Sequence, residues 1–320
     1  MPTPFSKLVR PRFPSAALGL ESGTAAVVHL ERKGRGGGYA IKRAAAATLP
    51  PGLIQPGFEE VNVTDANSLV ALLGEVALSA GLGKQRKWSV ALPEAATRAA
   101  ILTLESAPAS RQELEEVLRW KTERSFGAPP EELVVARERL QADAQGRQRY
   151  LAVAIHSGVL GEYESVFEAL GWRAGLILPR HQGESRWLAS HAAASAAGDA
   201  LLVSSHADGF TALLLRDSQP LVARSVMCEP EDRDDELYRL LLFYRDRVLA
   251  PGEGEQAAAL NRLLVVGEGF DKAHVGEIVN ETLEVHLRAL GPVEVGLTLP
   301  SHELSFDAIA APAGLATLAW

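Results

Sequence analysis

One pattern occurs twice in this chain of 320 residues, and it restricts the fold more than any other feature. Ala17-Leu18-Gly19-Leu20 reads as a short buried strand. The small-residue turn Ser22-Gly23-Thr24 leads into a second strand, Ala25 to Leu30, and the glycine-rich tip Lys33 to Gly38 into a third, Tyr39 to Ala44. From Ala200 the same order returns. Strand Leu201 to Val203, a turn, strand Phe210 to Leu215, a tip at Asp217-Ser218-Gln219 and strand Leu221 to Val226 follow one another. A helix comes after each meander. Leu69, Leu72, Leu73 and Val76 carry the 3.6 period in the first half. Leu237, Leu240, Leu241, Tyr244 and Val248 carry it in the second, after Pro230. A unit repeated in both halves points to two duplicated α/β lobes.

Between the repeats lies a separate pattern. A loop with Pro50, Pro51 and Pro56 precedes the first helix, and strand Trp88 to Leu92 follows it, stopped by Pro93. Ile101 to Leu104 is a short strand. Ser110 and Glu113 form an S-x-x-E box that opens a helix with Leu114, Val117 and Leu118 inward, ending near Gly127 to Pro130. Strands Leu133 to Ala136 and Tyr150 to Ile155 come next. A helix with Val159, Tyr163, Val166, Phe167 and Leu170 completes an inserted βαββα unit over 93–171. Strand Leu176 to Leu178 and an Ala/Ser-rich helix over Ser185 to Ala197 return to the first lobe. Late in the chain, strand Leu263 to Val266 meets Gly267-Glu268-Gly269 and a helix with Val275, Ile278, Val279, Leu283 and Leu287. The expected division is a basic arm 1–14 (Lys7, Arg10, Arg12), lobe 1 over 15–92, the insert, a lobe 1 return over 172–199, lobe 2 over 200–310, and a terminal segment 311–320 returning toward lobe 1.

Composition removes several function classes. Lys and Arg total 32 against 40 Asp and Glu, a formal charge of −8, and no basic block is present to neutralise phosphates. Nucleic acid is therefore not an expected partner. The lone Cys228 excludes an internal disulfide and fits a reducing compartment. The first residues lack a secretory apolar region, and no run approaches the ~18 apolar residues of a membrane span. Tyr150 to Gly161 comes nearest and carries His156. A cytoplasmic chain without a span of its own is expected. The acidic run Glu231-Asp232-Asp234-Asp235-Glu236 reads as charge complementing a helix N-terminus. Histidines 29, 156, 181, 191, 206, 274, 286 and 302 show no ligand spacing, so no metal site is expected. Cys228 reads as a structural thiol. Lys33 to Gly38 lacks the G-K-[ST] ending of a phosphate loop.

The duplicated meander, with a glycine turn after its first strand and a third glycine turn before a late helix, resembles the actin-like ATPase superfamily. Within it the chain is similar to the PilM family of type IV pilus assembly and its relative FtsA. Leu18 to Thr24 resembles the opening phosphate turn, and Thr48-Leu49-Pro50 with the Gly52 to Gly57 loop resembles the family's proline-glycine stretch. Arg111 to Phe126 resembles the segment before the inserted strand pair, and Glu236 to Tyr244 a leucine-rich helix. The resemblance implies a duplicated actin-like (ribonuclease-H-like) two-lobed fold with the insert as an extra subdomain.

It also implies a nucleotide cleft between the lobes, where glycine turns cradle phosphates and a carboxylate organises Mg²⁺ through water. Glu21 stands where the family has Asp, while Gly23 and Thr24 keep the glycine and hydroxyl. The second Asp-x-Gly aligns with Ser204-Ser205-His206, so Ser204 removes a charge and His206 a glycine. Glu268 puts an acid between Gly267 and Gly269. The expectation is a degenerate cleft with no catalytic residue, no metal and no cofactor, ATP and Mg²⁺ being the only ones to consider. The resemblance implies a scaffold that binds the short cytoplasmic tail of a PilN-like protein of the pilus inner-membrane platform. That partner would recruit the chain to the inner face of the membrane. The alternative is a Mg-ATP-binding ATPase of slow turnover with Glu21 as metal carboxylate. Filament-like self-association is a third outcome. The end at Trp320 favours the free-standing PilM-like form over the type II secretion cousin GspL, which continues into a span.

Overall fold

The computed structural model describes residues 13–34, 37–143, 145–189, 198–247, 259–300 and 304–320. The basic arm, apart from its last two residues, lies outside them. So do Val248, His191, His302, part of the first tip and the stretch 190–197 of the expected Ala/Ser-rich helix.

Both meanders form. The first comprises β1 (Ala16–Leu20), β2 (Thr24–Lys33) and β3 (Gly37–Thr48), the second β9 (Asp199–His206), β10 (Gly209–Arg216) and β11 (Gln219–Met227). Between them run α1 (Ala66–Ser79), β4 (Lys87–Leu92), β5 (Arg98–Thr103), α2 (Arg111–Phe126), β6 (Leu133–Leu140), β7 (Arg149–His156), α3 (Ser157–Ala169), β8 (Arg173–Pro179) and α4 (Arg180–Leu188). After them come α5 (Arg233–Arg247), β12 (Leu260–Val266), α6 (Lys272–Leu283), β13 (Leu297–Thr298) and α7 (Phe306–Ala316).

Three sheets result. Lobe 1 has the order β13-β3-β2-β1-β4-β8, lobe 2 the order β11-β10-β9-β12, and the insert the order β5-β7-β6. β1 pairs antiparallel with β2 and parallel with β4. Both of its faces are covered, which is why it is a continuous apolar run rather than an alternating one. β9 plays the same part between β10 and β12.

α4 and α7 lie between the two large sheets. Their Trp187, Leu188, Ile309 and Ala313 pack with Val28 and Leu30 of lobe 1 and with Leu202 and Leu264 of lobe 2. The two helices touch through backbone. A methyl group at Gly183 would come 2.2 Å from the Ala311 carbonyl oxygen, and one at Gly314 1.9 Å from that of Gly183. Only glycine permits that approach.

The structure revises five sequence expectations. The inserted unit is βαββ, with its own core of Leu102, Leu118, Phe126, Tyr150 and Ala152. Its expected last helix, α3, instead joins the lobe 1 core, because Val159, Tyr163, Val166 and Phe167 form an apolar stripe that covers α1 and the sheet. α4 starts at Arg180 rather than Ser185. α6 stops at Leu283, where Glu284 turns left-handed (φ 55°), so Leu287 is not helical. The return to lobe 1 begins before residue 311: β13 pairs with β3, and the apolar run 306–316 becomes α7 behind its Ser305 cap. In the insert Ser110 Oγ accepts the Glu113 N–H, but Glu113 takes the Ala109 N–H rather than that of Ser110.

Candidate functional site

The ends of β1, β9 and β12 open into a cleft of about 490 Å³ between the lobes. It collects seven of the eight expected residues: Glu21, Gly23, Thr24, His206, Gly267, Glu268 and Gly269. Ser204 lies outside the cleft's lining and is buried. The hairpin ladders explain the difference. In the first turn Glu21 and Thr24 exchange backbone bonds, and in the second His206 stands level with Gly209. The residue that corresponds in level to Glu21 is thus His206, two positions beyond Ser204 on the same face of the strand.

Charged groups that the sequence reading did not single out dominate the site. Arg180, at the first turn of α4, is buried and donates to Glu21 at 3.0 Å and to Glu184 at 3.1 Å. Burial alone would lower its pKa, but Glu184 and Glu21 outweigh that and raise it. Burial raises the Glu184 carboxyl. Asp307, in the first turn of α7, accepts the Gly267 N–H at 3.0 Å and Lys272 Nζ at 2.8 and 2.9 Å. Arg233, at the start of α5, donates to the carbonyls of His206, Ala207 and Gly269. Ser205 Oγ donates to the Glu268 carbonyl at 2.6 Å, while the Glu268 side chain is exposed.

Below the cleft, Glu94 follows β4 in a single 3-10 turn and is buried against His181 of α4. Thr211 of β10 donates to the same carboxylate at 3.0 Å. Burial would raise the Glu94 carboxyl, but His181 foremost, and then His206, hold it down at about 2. Burial pulls His181 down, and Glu94 overcomes this to raise it. His206 is 4% exposed, and neither ring nitrogen has a hydrogen-bond partner among the described residues. Burial lowers its pKa, with the carboxylates of Glu94, Glu21 and Asp208 only partly opposing.

Weak sequence signals existed for these groups. Arg180 directly follows the strand-ending Pro179. Arg233 is the single base inside the acidic run, where the dipole reading of its neighbours hid it. Asp307 follows Ser305 in a capping pattern. Their convergence needs the fold. Among the described residues, no group of three or more His, Cys, Asp and Glu is placed to hold a metal ion. No described helix is long and apolar enough to cross a membrane.

No protein-family model and no curated protein matches the chain. Among solved structures, a chain of a PilM–PilN type IV pilus biogenesis complex overlaps at TM-score 0.76 with 18% identity, covering 97% of this chain and 99% of that one. A protein of actin-like ATPase fold and unknown function from Bacteroides thetaiotaomicron overlaps at TM-score 0.46 with 13% identity, over 97% and 98% of the two chains. The cytoplasmic domain of EpsL, an inner-membrane component of the type II secretion system of Vibrio cholerae, overlaps at 0.43 with 13% identity, over 85% and 96%. The last two are too loose to carry an argument. The first establishes the fold, a duplicated two-lobed actin-like α/β architecture.

Proposed function

We propose that this chain is a non-catalytic scaffold of a type IV pilus, or related secretion, assembly platform, and that it holds the short cytoplasmic tail of a PilN-like inner-membrane protein. The observation that carries the non-catalytic part is that the cleft's Glu21 and Asp307 carboxylates are paired with Arg180 and Lys272. A Mg²⁺ site needs oxygen ligands free to arrange themselves, with water, in near-octahedral geometry. The Glu21 carboxylate is instead bonded to Arg180 at 3.0 Å, and the level position in the second hairpin offers an imidazole rather than a carboxylate. The residues present do not fit a magnesium nucleotide, and no hydrolytic step is derived from them.

Support for the partner is the overlap, along nearly the full length of both chains, with a chain of a PilM–PilN complex. A tail can bind such a surface in extended form, by strand addition or by pockets for alternate side chains. The test is calorimetric. Synthetic cytoplasmic tails of inner-membrane proteins encoded alongside are titrated into the purified chain, and one is expected to bind with micromolar affinity or better. Millimolar Mg-ATP is expected to give no saturable heat. If no tail binds, the scaffold role fails. Saturable Mg-ATP binding that Glu21→Ala abolishes would establish the ATPase reading in its place.

A further inference from the structure

Three links run between lobe 1 and lobe 2 across or beneath the cleft, and each passes through α4, α7 or the turn after β4. In the first, Glu21 at the end of β1 bonds Arg180, which bonds Glu184 on the same helix, and that helix packs on β9. In the second, Glu94 after β4 joins His181 of α4 to Thr211 of β10, and Thr211 continues to Ser225 of β11. The third runs from Asp307 of α7, whose helix is seated on β1 and β2, to the Gly267 N–H and Lys272 of lobe 2. Glu21 is mostly buried, and Arg180, Glu184, Glu94, His181 and Thr211 are buried.

In the first link a guanidinium supplies the positive charge between two carboxylates. In the third a carboxylate supplies the negative charge at a glycine-turn N–H beside an ammonium. These are the kinds of charge that a cation and a phosphate would bring to such a cleft. We propose that Arg180 is the cleft's resident cation and Asp307 its resident anion, and that they fasten the two lobes in one arrangement independently of any nucleotide. This rests on the reading of the cleft as non-catalytic and goes beyond it. The chain would present a fixed pair of lobes to its partner, with no ligand-driven opening and closing.

The physical reason is the cost of the alternative. Removing one member of a buried ion pair leaves an unpaired charge in a medium that solvates it poorly. Opening the cleft would separate the mostly buried Glu21 from Arg180, and that pair opposes it most; the more exposed Asp307–Lys272 pair adds a smaller, solvent-screened share. A ligand shifts a two-state equilibrium only through differential affinity for the states. A cleft whose Glu21 and Asp307 carboxylates already hold Arg180 and Lys272 offers Mg-ATP little to distinguish them.

Paired spin labels test this. Leu78→Cys on lobe 1 and Met227→Cys on lobe 2 are both exposed positions, and Cys228→Ser removes the native thiol. In the otherwise wild-type chain the label-to-label distance distribution is expected to be narrow and unchanged by Mg-ATP. Arg180→Met and, separately, Asp307→Asn are expected to widen it. Asp307→Asn keeps the size of the side chain and an oxygen acceptor for the Gly267 N–H, so it serves if Arg180→Met does not fold. A broad distribution that Mg-ATP narrows, or an Asp307→Asn chain as narrow as the unmodified one, overturns the proposal. The scaffold reading fails separately. Absence of tail binding would sink it and leave the fastening intact, whereas a nucleotide-narrowed cleft would sink the fastening without touching tail binding.

Discussion

The two meanders share a strand order and differ in how their turns end. In the first, β1 is entirely apolar and buried, and its turn reaches the cleft with Gly23 exposed and Ser22 and Thr24 half-buried. In the second, β9 is buried along all eight residues although four of them, Asp199, Ser204, Ser205 and His206, are polar or titratable. Of these, Asp199 is bonded to Arg216 and Tyr244, and Ser205 to the Glu268 carbonyl. The turn carbonyls of His206 and Ala207 are collected by Arg233. Duplication preserved the backbone ladder because strand pairing depends on main-chain groups. The end groups diverged because nothing in the ladder constrains them.

The largest expected effect comes from making the second meander as apolar at its base as the first. Asp199 is fully buried, accepts two bonds from Arg216 at 2.8 Å each and takes the Tyr244 hydroxyl at 2.6 Å. Asp199→Ala strands those donors and is expected to cost about 3–5 kcal/mol in urea unfolding. On lobe 1, the exposed Glu31–Lys42 pair at 3.8 Å is the contrast. Glu31→Ala should change stability by less than about 0.5 kcal/mol, and a similar loss at both positions would erase the distinction between the meanders.

An intermediate effect sits at the two turn ends. His206 has a folded-state pKa lowered by burial, so the unfolded chain binds the proton more readily. Stability should therefore fall as pH drops from about 6.5 toward the folded value, with a slope of at most about 1.4 kcal/mol per pH unit. His206→Gln is expected to flatten this limb. His181 has a raised pKa and acts in the opposite sense: its contribution is complete below about 6.5 and is lost as pH rises through the folded value. Thermal unfolding from pH 5 to 8 separates the two, and an unchanged acid limb in His206→Gln would refute the assignment. Glu94 contributes only much lower, where stability is lost as pH falls from its ordinary range toward about 2.

The smallest effect is at the second tip. Asp217 and Ser218 both have positive φ, 51° and 62°, in a two-residue connection that favours Asn-Gly. Asp217→Asn with Ser218→Gly should stabilise by about 0.4–1 kcal/mol, read from the urea midpoint. A loss would show that the tip is held by contacts rather than by backbone preference.

Much of this was legible in the residues themselves. The apolar runs and small-residue turns located both meanders, since a buried central strand needs no alternation. The resemblance implied a shared cleft, and the structure brings seven of its eight residues together there. Ser204 lies two residues short of the turn, because the ladder closes where His206 pairs with Gly209 rather than at the Ser204-Ser205-His206 alignment that the resemblance implies. α3 was assigned to the insert by adjacency in sequence, yet its apolar stripe covers lobe 1. The last helix was missed because Pro312 interrupts a pattern that the sheet beneath it nonetheless stabilises.

What the sequence by itself determined is the backbone plan: two duplicated lobes, an insert and no long apolar span. Such features depend on local periodicity and on residue type, which a chain carries without being folded. Only the tertiary structure decided which charged groups meet at the cleft. Arg180 and Glu21 are 159 residues apart, and Asp307 lies 40 residues from Gly267. No local rule links such positions, and burial makes Glu21 and Arg180 obligatory partners rather than solvated surface groups.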